Sequence, residues 1–235
     1  QLVHLEVNTI GHYFPNVGSA FSWYIIKKTP YVHPTHGRCG IKKTIVNFEY
    51  DFRGFNFIPL KITDTLLSIT QKVIIQRSEK IDFHRDTTLH GGSKRSQRHI
   101  SSSKTATHTY PLMNTSTIIV YSDIIPPMMG ISKVWIPESG HPRPIADSNG
   151  EFGVTNNGLY VACSNAGEVV SLTRILSSKL FQFIMRELKW SGFNSAWIIR
   201  QLPKVDTSHS WTDAELYRHF NLTDEEIKLI EDTVK

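Results

Sequence analysis

The chain is organised around one amphipathic segment and the aromatic turn that follows it. Residues 176–188 read LSSKLFQFIMREL, and residues 189–194 read KWSGFN. The apolar positions 176, 180, 181, 183, 184, 185 and 188 have helical spacing. This pattern predicts a buried helix that ends at Gly192, followed by a turn and the short apolar segment AWII at 196–199. The two tryptophans and the phenylalanine of this corner either fill the core or expose a face for ring stacking, and we expect Trp190 and Phe193 to be mainly buried.

The composition is that of an ordinary globular protein, with 40% hydrophobic and 20% charged residues. The 235 residues suffice for one large or two small domains. No apolar run approaches the roughly 18 residues of a membrane span, so no membrane partner is expected. Two cysteines, Cys39 and Cys163, argue against a disulfide scaffold and against a cysteine-rich zinc site, and they fit a reducing compartment. Because Gln1 falls within a predicted strand, we expect a fragment or a processed product.

Charge is distributed unevenly along the chain. Residues 206–235 contain eight acidic and three basic residues, which gives a net charge of −5. Because the whole chain has a net charge of +5, residues 1–205 carry +10. A basic body with an acidic tail favours a polyanionic partner such as nucleic acid. The alternative, ordinary surface charge without such a partner, stays open at this point.

The first 50 residues are predicted to form strands. LVHLEV at 2–7 alternates, and FSWYIIK at 21–27 is rich in aromatic and β-branched residues, so these two are expected to pair as an antiparallel ribbon. KKTIVNFEY at 42–50 predicts a third strand, and YVHPTHGRCG at 31–40 predicts a loop.

Two histidines and a cysteine of this predicted loop suggest a metal site. His33, His36 and Cys39 match no strong zinc spacing, and a fourth ligand is missing. We therefore expect no metal here. An aromatic loop follows at 51–59, and then a helix capped by Thr63 or Asp64 that runs to about Gln76.

Residues 78–108 are predicted to form a long, mobile, cationic loop. The part from 84 to 108, HRDTTLHGGSKRSQRHISSSKTATH, has almost no apolar residues and the single acid Asp86. Loops of this length are usually functional or disordered. Basic and hydroxyl side chains on flexible backbone suit phosphate oxygens, whereas a solvated loop without a role is the alternative. The candidate phosphate-binding residues are Arg85, Lys94, Arg95, Arg98 and Lys104.

Residues 110–164 are predicted to form short strands, at 117–121, 133–136 and 159–163. The connection 137–158 is rich in Gly, Pro and Asn and carries isolated polar side chains. Such a loop can present Arg to guanine edges and Asn to adenine edges, although turn formation alone is equally possible. The candidate base-reading residues are Arg143, Asn156, Asn157 and, at the aromatic corner beside Lys189, Asn194.

The last third is predicted to be helical. Ser164 or Asn165 begins a helix at 168–176, and 179–189 forms a second helix or continues the first. TDAE at 212–215 and TDEE at 223–226 are capping boxes, each of which begins a further helix.

The residue patterns contain no recognised catalytic motif. The phosphate-binding glycine loops, the nucleophile elbow and the HExxH zinc motif are all absent. Carboxylates for a nuclease could come from Glu49 with Asp51, or from Glu138 with Lys133, but such pairs arise by chance in any chain. No catalytic residue is assigned, and the residues favour a binding module over an enzyme.

Three stretches carry a resemblance to a known family. YFPNVGSAFSWYIIK at 13–27 resembles the last strand pair of the catalytic domain of adenine-specific DNA methyltransferases of the restriction–modification type, which occur in bacteria, phages and large DNA viruses. Residues 176–193, with Leu202 and Pro203, are similar to the distal part of their target-recognition region. WTDAELYRHFNLTDEEI at 211–227 is similar to their C-terminal helical ending. The middle, 40–130, is not covered.

The resemblance implies an α+β chain in three parts. These are the end of a catalytic-type sheet at 1–50, a target-recognition domain at 51–205, and a helical tail at 206–235. The S-adenosylmethionine loop and the Asn-Pro-Pro-aromatic motif of this family are absent from the chain. The implied function is therefore sequence-specific recognition of double-stranded DNA, in the cytoplasm of a bacterium or of an infected host cell. S-adenosylmethionine and methyl transfer are expected only in the complete enzyme, with a missing N-terminal catalytic region or subunit as partner.

Two other classes of protein stay open. The first is a restriction endonuclease subunit or fragment whose metal-binding carboxylates carry no recognisable pattern. The second is a structural or virion interaction protein that keeps the fold without the activity.

Overall fold

The first sheet contains strands β1 to β4, in the order β2-β1-β3-β4. Strand β2 is antiparallel to β1, as predicted, whereas β3 is parallel to β1 and antiparallel to β4. This computed structural model describes residues 1–9, 13–14, 16, 20–30, 34–41, 44–90, 98–190 and 196–234. The four strands are β1 (Leu2–Val7), β2 (Ser22–Ile26), β3 (Thr35–Ile41) and β4 (Thr44–Tyr50).

Strand β3 begins within the predicted loop 31–40, and the prediction of a loop is wrong for residues 35–40. Two glycines let this strand approach its neighbour. A Cβ at Gly37 would lie 1.9 Å from the carbonyl oxygen of Leu5, and one at Gly40 would lie 2.1 Å from that of Asn8. Glycine within a strand often marks a close approach of two backbones. The two glycines that suggest a turn in the sequence therefore allow β3 to pair with β1.

Two smaller sheets form the centre of the chain, in the orders β10-β6-β7-β5 and β11-β8-β9. The strands predicted at 117–121, 133–136 and 159–163 are confirmed with small shifts. The seven strands are β5 (Ile100–Ser101), β6 (Tyr110–Met113), β7 (Ile119–Ser122), β8 (Lys133–Pro137), β9 (Ile145–Asp147), β10 (Gly153–Val154) and β11 (Gly158–Ala162).

Six helices complete the described part of the α+β fold. Within the described residues, no helix has both the length and the apolar character that crossing a bilayer requires. The helices are α1 (Asp64–Thr70), which continues as a π-helical turn over Gln71–Ile75, α2 (Ala166–Ser177), α3 (Lys179–Glu187), α4 (Ala196–Ile199), α5 (Asp213–His219) and α6 (Asp224–Thr233).

Side-chain caps set the helix starts, as the sequence predicts. Thr63 caps α1 and Asn165 caps α2, and both predicted capping boxes begin α5 and α6. Helices α2 and α3 are separate because Ser178 has an extended ψ of 153° and its hydroxyl accepts from the backbone N–H of Phe181. Helix α3 ends at Glu187, before the predicted Gly192.

The main core lies between the β11-β8-β9 sheet and the helices. Its sheet face contributes Val134, Ile136 and Leu159, all fully buried. The apolar stripe of α3 packs here, as its spacing predicts, and the two C-terminal helices close the core. The buried residues of α3 in this cluster are Leu180, Phe181, Phe183, Ile184 and Met185, followed by Leu188.

The predicted cationic loop, 78–108, is anchored at its start. Isolated β-bridges join Lys80 to Pro203 and His84 to Tyr160. Residues 80–90 are therefore part of the packed body rather than of a free loop, whereas residues 91–97 lie outside the described part. The apolar side chains buried in this segment are Ile81, Phe83 and Leu89.

Glu226 joins α6 to α1 through buried hydrogen bonds. Its carboxylate accepts from the Ser68 hydroxyl at 2.6 Å, from Lys72 Nζ at 2.8 Å and from the backbone N–H of Thr223 at 2.7 Å. Burial acts to raise the pKa of Glu226, but the hydrogen bonds from Lys72, Ser68 and Thr223 outweigh it and lower the pKa below 4.5.

Replacing Glu226 by Gln is expected to lower the free energy of unfolding by about 1–3 kcal/mol at neutral pH. Because the folded pKa is depressed, the carboxylate stabilises the fold fully above its unfolded pKa, and this contribution is lost as the pH falls through the folded pKa. The difference between wild type and variant should therefore shrink in acid. Urea denaturation at several pH values measures it. Glu225→Gln, at the exposed neighbour, is the control, and a difference that is constant with pH would contradict the prediction.

Candidate nucleic-acid interface

A buried glutamine fixes the turn-rich loop 137–144 against helix α3. Gln182 lies within the apolar stripe of α3 and is 6% exposed. Its Nε2 donates to the carbonyl oxygen of Pro142 at 3.0 Å and to that of Leu176 at 2.8 Å. A buried amide with such partners defines one loop position, because breaking either bond would leave a buried polar group unsatisfied.

This contact gathers four basic residues into what we call the cationic cluster, namely His141, Arg143, Arg186 and Lys189. The pKa of His141 is lowered, first by desolvation of its ring and then by the charges of Arg186, Arg143 and Lys189. Arg143 is exposed, and Arg186 and Lys189 are half-buried. The cluster is therefore a site of concentrated positive charge with access to solvent.

The acids nearest in sequence to this cluster are already paired elsewhere. Glu138 forms an ion pair with Arg85, and Glu187 forms one with Lys61. Among the described residues no acid forms an ion pair with any of the three cations, so their charge is available to an external anion.

The predicted phosphate-binding residues that the structure describes, Arg85, Arg98 and Lys104, share no hydrogen bond or ion pair with a common partner. Arg85 is engaged with Glu138, although its Nε is buried without a partner. Arg98 is exposed and its Nε donates to Nε2 of His99 at 3.0 Å, and Lys104 is exposed. Lys94 and Arg95 lie outside the described residues.

Of the predicted base-reading residues, Arg143 alone lies in the cationic cluster. Asn157 donates from Nδ2 to Asn114 Oδ1 at 2.7 Å, so its amide serves the fold. Asn156 is half-buried, and its Oδ1 has no hydrogen-bond partner. Asn194 lies outside the described residues.

Arg186 was missed by sequence reasoning. It stands inside the buried helix pattern, and the docking of loop 137–144 onto α3 brings His141 under the influence of its charge. The available signal was spacing: in the predicted helix 179–189, Arg186 and Lys189 are three positions apart, which would place them on one face.

A cavity of about 630 Å³, the aromatic cavity, lies at the corner between α3 and α4, and it is lined by Trp190, the neighbour of Lys189 in the chain. Trp190 is half-buried and donates from Nε1 to the carbonyl oxygen of Ile58 at 2.6 Å, whereas Trp197 is 55% exposed. The corner thus fills the core and also exposes an aromatic surface. Phe193 lies outside the described residues. The phenylalanines that line the cavity are Phe52, Phe55 and Phe57.

Replacing Arg186 by Gln is expected to raise the pKa of His141 toward 6.5, because a charge that opposes protonation of the ring is removed. NMR titration of the histidine ring signals measures this shift. Arg77→Gln is the matched control: Arg77 lowers the pKa of His219, so that variant should raise the pKa of His219 and leave His141 unchanged. An unchanged His141 in Arg186→Gln would show that the cluster is not assembled as described.

The carboxylates considered for nuclease chemistry lie in separate ion pairs. Glu49 pairs with His36, Asp51 with Arg53, and Glu138 with Arg85. Within the described ranges no three His, Cys, Asp or Glu side chains are grouped to hold a metal ion. The geometry thus offers anion binding by cations and ring stacking as its chemistry. No protein-family model matches this chain, and no curated protein is significantly similar to it.

Proposed function

We propose that this chain recognises double-stranded DNA in a sequence-specific manner, as the target-recognition part of an adenine-N6 DNA methyltransferase. The observation that carries the proposal is the cationic cluster, in which Arg143, Arg186 and Lys189 converge without an acidic partner among the described residues. Cations of this kind neutralise backbone phosphates and release the counterions of DNA.

The two arginines suit this role by their geometry. A guanidinium donates two parallel hydrogen bonds to a phosphate or to the O6 and N7 edge of guanine. Arg143 extends from a loop that Gln182 fixes on the helix, so the backbone that carries it is set before DNA arrives. A fixed backbone loses less conformational freedom on binding, which favours affinity.

Strand β2 supports a protein partner for the first sheet. It is an edge strand, and all five of its residues are exposed. Its aromatic and branched side chains, Trp23, Tyr24, Ile25 and Ile26, alternate between the two faces and are each 48–63% exposed. Strands apolar on both faces are typical of sheets covered on both sides. We propose that a catalytic region that binds S-adenosylmethionine packs here and supplies methyl transfer.

A reducing, cytoplasmic setting is part of the proposal. Cys39 and Cys163 are both buried and free. Burial raises the pKa of both thiols, so they are neutral and unreactive at physiological pH.

Fluorescence anisotropy of a labelled duplex, titrated with the intact chain at several salt concentrations, tests the proposal. Three phosphate contacts predict that log K falls with log salt with a slope of about −2.7 or steeper. Absence of binding at low salt would overturn the assignment. Preference for one duplex among randomised sequences, recovered by selection and sequencing, is the expected sign of target recognition.

A role in a protein assembly is the second candidate function. The exposed apolar edge of β2 favours it, since such edges are usually covered. Failure to bind DNA together with a stable complex in which β2 is protected from hydrogen exchange would support this alternative.

A further inference from the structure

The aromatic cavity is held open by two tethers on the loop 51–59. On one side Trp190 Nε1 donates to the carbonyl oxygen of Ile58 at 2.6 Å, and on the other Asn56 Nδ2 donates to Gln201 Oε1 at 3.0 Å. The phenylalanines of this loop meet edge to face, with an interplanar angle of 87° between Phe52 and Phe55. The loop is therefore a fixed wall, and the cavity does not depend on a rearrangement to form.

The chemistry of the lining favours a flat aromatic ligand. Rings come from the loop, from the end of α3 and from α4, and Trp197 is 55% exposed, so much of its surface remains free. At about 630 Å³ the cavity lies within the usual range for ligand sites and exceeds one nucleobase. Asn56 adds a polar group at the wall: its Nδ2 is used by Gln201, while its carbonyl oxygen has no partner among the described residues and remains an acceptor.

The link to the cationic cluster through Lys189 favours a nucleobase over an apolar protein segment as the ligand of the aromatic cavity. Lys189 belongs to the cluster and is the immediate neighbour in the chain of Trp190, which lines the cavity. Because adjacent Cα atoms are about 3.8 Å apart, a polyanionic strand that reaches Lys189 also comes within reach of the rings, whereas an apolar segment would gain nothing from the cations. Aromatic rings next to basic side chains are the usual means of binding single strands, because every base has a face that stacks.

We propose that the aromatic cavity binds an unpaired base of a nucleic-acid strand, stacked against Trp197 with its edge toward the Asn56 carbonyl. The inference rests on the proposed function, because the cationic cluster holds the strand that delivers the base. It adds a second mode of binding, since duplex DNA with all its bases paired would engage the cluster alone.

The test compares two single strands of equal length and charge. One is a thymidine oligonucleotide, and the other is the same backbone with abasic residues. The intact chain is expected to bind the thymidine strand about fivefold to tenfold more tightly. Trp197→Ala should abolish this preference, Trp197→Phe should keep part of it, and Phe14→Ala, at a ring of similar exposure (57%), should leave it unchanged.

Each outcome decides the proposal. No preference for the base-bearing strand, no binding of either strand, or a preference that persists in Trp197→Ala would overturn it. If Trp197→Ala instead dissociates an oligomer of the chain in sedimentation, the cavity is occupied by protein and the proposal is also overturned. The duplex titration is separate, so loss of duplex binding with a retained base preference would reject the proposed function but not the cavity.

Discussion

Replacing Arg143, Arg186 and Lys189 together by alanine is expected to weaken duplex DNA binding about a hundredfold at near-physiological salt. Each phosphate contact contributes roughly 0.9 to the slope of log K against log salt, which corresponds to about fivefold in affinity near 0.15 M. Three lost contacts therefore multiply to about a hundredfold, and the slope should become shallower by nearly three. Anisotropy titrations across salt measure both quantities on the same samples.

A second triple variant separates this site from the general effect of charge. Lys204, Arg218 and Lys228 are exposed and lie elsewhere on the chain, and their replacement by alanine removes the same net charge. Since Arg218 and Lys228 stand in the acidic tail, this control should change affinity only slightly. Equal losses in the two triple variants would show that net charge, rather than the cluster, governs binding.

The cluster also predicts how binding depends on pH. Phosphate near His141 favours the protonated ring, whose pKa is lowered in the free chain by burial and by the neighbouring cations. Affinity should accordingly rise as the pH falls through the pKa of His141, and this rise should disappear in His141→Gln.

The helices could be predicted from the sequence because their signals are local. Threonine caps, capping boxes and the apolar stripe of α3 depend on residues within four positions of one another. Strand β3 could not be predicted, because its glycines carry the signal of a turn, and their real function depends on Leu5 and Asn8, more than 30 positions away. The sequence shows that the glycines are present, but it does not show which backbone atoms lie close to them.

The candidate site also combines features that are local in the sequence with contacts between distant residues. Arg143 could be proposed from its residue type and its loop. Arg186 could not, because its place in the cluster depends on where the loop docks on α3, and a glutamine within an apolar stripe carries no sign of the carbonyl that it binds. The engagement of Arg85 by Glu138 joins residues 53 positions apart, so sequence reasoning had no means to withdraw Arg85 from the phosphate-binding candidates.

The hairpin whose loop carries Arg143 contains a buried ion pair at its open end. Lys133 on β8 and Asp147 on β9 stand opposite each other, with Nζ 2.5 Å from Oδ2, and their side chains are 0% and 2% exposed. The ammonium also donates to the carbonyl oxygens of Met128 and Ile131, so all three of its protons are used. The carboxylate accepts from the backbone N–H groups of residues 151 and 152.

Replacing Asp147 by Asn is expected to lower the free energy of unfolding by about 3–5 kcal/mol, because it leaves the Lys133 charge buried without its anion. Burial already lowers the pKa of Lys133, and the pairing with Asp147 opposes that effect. Urea denaturation measures this loss of stability. The free energies of unfolding of wild type and variant can be compared directly if their m-values are equal. Asp232→Asn, which removes the acid of the exposed pair with Lys228, should have little effect.

A double variant, Lys133→Met with Asp147→Leu, separates the effect of the uncompensated charge on stability from the effect of the lost side-chain contact. If the uncompensated charge causes the loss, apolar replacement of both partners should recover much of the stability. The pair joins the first residue of β8 to the last residue of β9, at the end of the hairpin away from the loop that presents Arg143. Asp147→Asn should therefore change the stability of the chain more than its affinity for DNA. A loss of less than about 1 kcal/mol would mean that the hairpin is held by its packing and not by this pair.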